Sequence, residues 1–181
     1  MVHKEENDEP RVGLPSLPGT YALVLRFSRR MEIVVGRLGV LEAQPGYYVY
    51  VGSALGPGGL AARLGRHLRR EKARRWHVDY LRAAAHVEEV WYATGKAHRE
   101  CRWASVLRRL SGASVPLTGF GASDCGCPSH LHFFNVPPSV ADFRKKLRGQ
   151  RIEQFRPDDA EDATHAAARS VRRSSPGGTR R

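Results

Sequence analysis

The sequence predicts a small domain of the α/β (α+β) class, a central three-stranded antiparallel sheet flanked by helices. Two observations carry this. Three runs rich in β-branched and aromatic residues follow one another between residues 19 and 51, and successive strands joined by short links form an antiparallel meander. Behind them Leu60, Leu64 and Leu68 recur at four-residue spacing, which marks an amphipathic helix with one apolar stripe. At 181 residues the chain fits one domain with tails and can bury a sizeable core.

Residues 1–15 are polar and punctuated by proline, the composition of a disordered tail. The first strand opens at Gly19-Thr20-Tyr21 and runs to Phe27. After a turn at Ser28-Arg29-Arg30, Glu32–Arg37 is expected to return beside it as a hairpin. Residues 38–45 bridge to a third strand at Tyr47–Val51, which stops at Gly52. Residues 53–59 are a loop, because four of these seven are Gly or Pro. A helix follows over about residues 59–70, then a charged elbow at 69–75 and a second helix over 76–85. Residues 87–94 read as a fourth strand, and 98–111 as a helix with Trp103, Leu107 and Leu110 facing inward. Residues 112–129 are loop, 130–136 a last strand and 140–147 a short helix. The domain is expected over 16–147, and residues 148–181 as a charged, disordered tail.

The net charge of +12 is localised. Residues 1–15 hold two basic and four acidic side chains and residues 149–181 hold seven and five, so the tails cancel and the whole excess lies in 16–148. A folded unit so basic, with most of the charge as arginine, expects a polyanion such as nucleic acid. The plainer reading is a soluble protein from an arginine-rich proteome. No stretch approaches the roughly 18 apolar residues of a membrane span, and the N-terminus lacks the basic-then-apolar form of a signal peptide. An odd count of three cysteines does not make a secreted disulfide framework. The cytoplasm is therefore the expected compartment, with no membrane partner.

The chain is organised around residues 46–67. A strand delivers tyrosines to a glycine-rich turn, and the next helix brings Arg63 and His67, four residues apart and hence on one face, back beside them. Tyr21 follows Gly19 at a strand start and Tyr50 precedes Gly52 at a strand end, so each phenol falls where sheet meets loop. As isolated residues these tyrosines would be read as core filling. A fixed guanidinium can meet two phosphoryl oxygens at once, which makes Arg63 the foremost candidate; solvated helix arginine is the reading for Arg66, Arg69 and Arg70. His67 could hold a proton for a leaving group, touch phosphate, or be a hydrogen-bonded structural histidine. Glu100, with Trp103, Ala104 and Leu107 at i+3, i+4 and i+7, belongs to an inward helix face, where a carboxylate is costly unless paired or bound to a cation. A structural ion pair with Arg63 is its alternative.

Gly19-Thr20-Tyr21, Tyr50-Val51-Gly52 and the helix bearing Arg63 resemble the signature of the GIY-YIG nuclease superfamily. The ordered blocks GGLAARLGRHLRR, RWHVDYL, Arg99-Glu100-Cys101 and GFGASDCGCPSHL extend the likeness to its Uri-type subgroup over roughly residues 16–147. Both signature isoleucines are replaced, by Thr20 and Val51. The resemblance implies a metal-dependent endonuclease that hydrolyses phosphodiester bonds, in DNA ahead of RNA, in repair or processing. It also implies Tyr21, Tyr50, Arg63 and His67 as catalytic residues and Glu100 as ligand to Mg²⁺ (or Mn²⁺). The alternative is a nucleic-acid-binding module of the same fold without turnover.

Cys125, Cys127, His130 and His132 cluster at short intervals and could bind zinc with Cys101 or His77. Only half a ligand set is local, so buried free thiols beside a loop are the expected reading. Asp124 and His130 are alternatively members of the active-site rim. A zinc-stabilised partner-binding protein is the third functional reading.

Overall fold

A computed structural model of the protein describes residues 13–69 and 74–157. The N-terminal tail up to residue 12, part of the charged elbow and the C-terminal tail from residue 158 lie outside the described residues. Those described build a mixed α/β domain from β1 (Gly19–Phe27), β2 (Met31–Val34), β3 (Val40–Ala43), β4 (Gly46–Ala54), α1 (Gly59–Leu68), α2 (His77–Arg82), β5 (His86–Thr94), α3 (Glu100–Leu107), β6 (Leu131–Phe134), α4 (Val140–Lys146) and β7 (Glu153–Phe155). No helix among the described residues is long and apolar enough to cross a membrane.

The main sheet has five strands, not three, in the order β6-β4-β1-β5-β7, and every pairing is antiparallel. The expected hairpin of β1 with the strand after it does not form. A turn at residues 35–39, closed by Val35 N–H donating to the Gly39 carbonyl at 2.8 Å, sends β2 back onto β3. The two make a separate sheet, and both edges of β1 are taken by β4 and β5. The helices are shorter than the periodicity suggested, α2 and α3 most of all. Beyond Lys146, Ile152 is buried and β7 adds an edge strand, so ordered structure reaches into residues expected to start the C-terminal tail.

Alternation along β1 explains the layering, because successive side chains in a strand point to opposite faces. Tyr21, Leu23, Leu25 and Phe27, with Tyr48 and Tyr50 of β4, form one core against Leu60, Leu64 and Leu68 of α1, Val78 and Leu81 of α2, and Ile33 and Leu41 of the small sheet. Ala22, Val24, Val49, Val51 and Trp91 form the other, against Trp103 and Leu107 of α3 and Phe143 of α4. A strand covered on both faces reads as continuous apolar sequence, as Ala22–Leu25 does. The consequence for the site is directional: Tyr21 and Tyr50 face α1.

Candidate active site

At the start of β1 and the end of β4 the register sets Tyr21 opposite Gly52. A β-carbon at Gly52 would stand 2.5 Å from the Tyr21 hydroxyl, so glycine is what lets the ring lie across the neighbouring strand. The phenol then reaches α1, where its oxygen is 2.8 Å from Nε2 of His67. On the far side of the imidazole, Nδ1 lies 3.6 Å from Oδ1 of Asp79. Tyr21, His67 and Asp79 are all buried. The carboxylate favours the tautomer protonated on Nδ1, which leaves Nε2 to accept the Tyr21 O–H.

Asp79 is held from several directions. Its Oδ2 accepts from the backbone N–H groups of Arg75 (2.9 Å) and Trp76 (3.1 Å) at the start of α2, and from the guanidinium of Arg66 at 3.3 Å. Arg82, also buried, fixes the last turn of α1 by donating to the carbonyls of His67 at 2.7 Å and Leu68 at 3.0 Å. The last carbonyls of a helix need partners from outside it, and a cation there also complements the helix dipole. The position of His67 is thus set by two side chains from α2.

Arg63 lies one turn before His67, its guanidinium 4.2 Å from the centre of the Trp76 ring; that of Arg66 is 4.4 Å away. Stacking orients both cations without neutralising them. Tyr21, Tyr50, Arg63, His67 and Trp76 line one side of a cavity of about 570 Å³. Glu100 and Cys101, at the start of α3, and Gly121, Asp124, Cys125 and His130, from the loop before β6, line the other, along with His98. Glu100 is half-buried, and among the described residues no cation pairs with it within 4.0 Å. The ion pair with Arg63, its alternative role, is therefore not formed.

Burial holds the phenols neutral. It pushes Tyr21 well above its ordinary 10, helped by the adjacent Tyr50 and opposed by Arg63. It carries Tyr50 up to about 12, again against Arg63. Burial likewise lowers His130, which favours a neutral imidazole. Neither tyrosine stands as a phenolate near neutral pH.

Cys101, Cys125, Cys127 and His130 converge, their ligand atoms within 4.8 Å of one another. The reading of Cys125 and Cys127 as buried thiols does not hold, since Cys125 is exposed and Cys127 half-buried; of the two remote partners named from sequence, it is Cys101, in the first turn of α3, that joins them. His77 is elsewhere, its Nδ1 accepting from Gly121 N–H at 3.0 Å. His132 is buried on the α3 side of β6 and is not in the cluster. Burial, with Cys101 and Cys125 alongside, raises Cys127 to about 12. This donor set suits zinc, whereas magnesium prefers oxygen ligands.

Tyr21, Tyr50, Arg63, His67, Glu100, Asp124, Cys125 and His130, all singled out from sequence, line the one cavity. Sequence reasoning missed Asp79, Trp76, Arg82 and His98. Asp79 and Trp76 do sit in the RWHVDYL block, but only the packing of α2 on α1 gives them partners. Fold and site together define a mixed α/β domain with a cationic, tyrosine- and carboxylate-lined cleft at one end of its central strands. The chain matches the family described as "Domain of unknown function DUF123" over residues 20–153 and belongs to that family. No curated protein and no solved structure matches it.

Proposed function

We propose that the domain is a divalent-metal-dependent endonuclease, acting on DNA ahead of RNA and related to the GIY-YIG nucleases. The observation that carries this reading is the hydrogen bond from Tyr21 to His67 within a cavity that Arg63 and Glu100 also line. A binding module has no need of a buried proton path ending at its ligand surface. The side-by-side pairing of the two signature tripeptides in β1 and β4 supports the relation, and the charge of residues 16–148 supports a polyanionic substrate.

The chemistry is displacement at phosphorus: water forms a new P–O bond, the ester P–O bond breaks, and the products are a phosphate monoester and a free hydroxyl. Water must lose a proton as it attacks. A neutral Tyr21 cannot take one unless it gives one up, and His67 Nε2 is the acceptor within reach. The proton of the phenol passes to the imidazole as that of water passes to the phenol, and Asp79 stabilises the imidazolium; the leaving oxygen takes its proton from solvent, to which the imidazolium afterwards returns the one it gained. Arg63 donates to the non-bridging oxygens as their charge grows. Tyr50 packs beside this path and donates to water or phosphate. Glu100, with Asp124 also on the cavity wall, fits a hard cation, since magnesium is typically held by one or two carboxylates and substrate phosphate. Bound there, the cation would offset charge on the phosphoryl and leaving oxygens.

The test is cleavage of labelled branched, single-stranded and duplex DNA, and of RNA, by the full chain with Mg²⁺ or Mn²⁺. Cleavage that Tyr21→Phe and Arg63→Ala abolish is expected. Salt-sensitive binding with no cleavage of any substrate would replace this reading with a binding module.

A further inference from the structure

We propose that Cys101, Cys125, Cys127 and His130 form a closed Cys₃His zinc site that staples the loop before β6 to the first turn of α3. The site is distinct from the Glu100 cation site and structural in role. Its argument begins with distance. His130 Nε2 lies 3.4 Å from Cys125 Sγ and 4.0 Å from Cys101 Sγ, and all four donor atoms fall within 4.8 Å of one another. Tetrahedral zinc, with Zn–S of about 2.3 Å and Zn–N of about 2.0–2.1 Å, sets ligands roughly 3.5–3.8 Å apart. Shifts of about 1 Å or less in side chains therefore close the shell.

The donors select the metal. Three thiolates and an imidazole are soft and borderline ligands that favour zinc over magnesium or calcium. Four protein ligands leave no open position, which is the pattern of structural rather than catalytic zinc. An exposed Cys101 gives the ion a way in.

Topology supplies a need. Between α3 and β6 the chain runs from residue 108 to 130 with no helix or strand, long for a compact domain. Its fixed points are spread out. Ser114 bridges to Phe133, Phe120 is buried, and His130 is clamped through its backbone, N–H to Phe120 carbonyl at 2.7 Å and carbonyl from Val51 N–H at 2.9 Å. That clamp aims the imidazole of His130 from the sheet toward the thiols. Cys101 follows Glu100 and Cys125 follows Asp124, so a metal there fixes the backbone beneath both carboxylates of the cavity wall.

The full chain, purified with reductant and without chelator, is expected to carry about one zinc by mass-spectrometric metal analysis. Cobalt exchanged for zinc should give tetrahedral d–d bands and thiolate-to-metal charge transfer. Cys127→Ser, chosen because Cys127 does not line the cavity, should lose the zinc or weaken its binding by orders of magnitude, and chelation should lower the Tm of the wild type by several degrees. Metal analysis and the cobalt spectrum of the wild type need neither cleavage nor a folded variant. A reduced chain, its three thiols titratable, that takes up neither zinc nor cobalt overturns the proposal, as does a cobalt form without thiolate bands. Zinc retained stoichiometrically by Cys127→Ser does so too.

Discussion

Replacing Asp79 with asparagine tests whether the buried proton path works as a unit. The change keeps shape and removes one charge. The new amide oxygen could still accept from the N–H groups of Arg75 and Trp76, but His67 no longer faces an anion. At 3.6 Å and an effective dielectric of about 20, unit charges attract by ~4–5 kcal/mol. That is the upper limit of what Asp79 contributes once His67 has gained a proton, and at about 1.4 kcal/mol per decade it bounds the loss near 10³-fold. We expect single-turnover cleavage to fall by about 10²–10³, with substrate affinity within a factor of about three. Stability should fall by roughly 1.5–3 kcal/mol, because charge-assisted hydrogen bonds to Arg66 and the start of α2 are weakened. Rates must therefore be referred to the folded fraction. The pH–rate profile separates the two effects: without the carboxylate the imidazole is less basic, so the acidic limb moves to lower pH as the plateau drops. A variant whose folded fraction cuts at the wild-type rate, with an unmoved acidic limb, refutes the coupling of Asp79 to catalysis.

Three further outcomes follow from the same geometry. Gly52→Ala sets a β-carbon against the Tyr21 hydroxyl; denaturant melts should show about 1–3 kcal/mol lost to overpacking, and cleavage by the folded fraction should drop with it, whereas an unchanged crystal position for the Tyr21 ring would contradict this. Glu100→Gln should reduce Mg²⁺-dependent cleavage by at least about 10²-fold with Tm nearly constant, since among the described residues no ion pair is broken; a large fall in Tm with normal cutting by folded molecules would remove Glu100 from the site. For Tyr50 the folded-state value of about 12 exceeds the unfolded value near 10, so the neutral phenol's contribution is complete below about pH 10 and is lost as pH rises from about 10 to 12, up to about 3 kcal/mol. Tyr50→Phe should flatten that alkaline loss in denaturant titrations compared at about pH 8 and 11, and equal slopes in the two proteins would count against burial as the cause.

Local pattern made part of this molecule legible. The apolar run of β1, the aromatic run of β4 and the leucines of α1 each announce themselves within a window of about ten residues, and with them come Tyr21, Tyr50, Arg63 and His67. What failed was pairing. Nothing in Glu32–Arg37 says that it turns back on Val40–Ala43 rather than onto β1, because both registers bury an apolar face; the choice is made by β5 claiming the other edge of β1 from far along the chain. β7 carries no strand signal in Glu153-Gln154-Phe155 and exists because the edge of β5 was open. Asp79 in sequence is an acidic residue in a helix's first turn, which the helix dipole alone explains. Its second role appears only when α2 lies across α1. Cys101 and His77 were left undecided as the remote partner of Cys125 and Cys127 for the same reason: Cys101 stands twenty-four residues before Cys125, and only the packing of α3 brings it to the cluster.

The two halves of the cavity are built with different rigidity, and that difference orders the functional argument. The groups that would handle proton and phosphate stand on β1, β4 and α1, elements fixed by a continuous core and braced by Arg82 and Asp79. Glu100 belongs to α3, which packs on the opposite face of the sheet and reaches the cavity only with its first turn. Asp124 comes from a long loop. Catalytic geometry tolerates little looseness, and a group displaced by about 1 Å can cost 10²-fold. A fold that would take its cation ligands from the far face and from a loop must tie those two segments together. The Cys₃His cluster joins them beside the residues in question. The zinc proposal and the nuclease proposal therefore meet in one measurable quantity: with zinc removed from a chain that remains folded, Mg²⁺-dependent cleavage should need far more Mg²⁺, while the hydrogen bond between Tyr21 and His67 is untouched. If the Mg²⁺ requirement is the same with and without zinc, the staple does not position Glu100, whatever it does for stability.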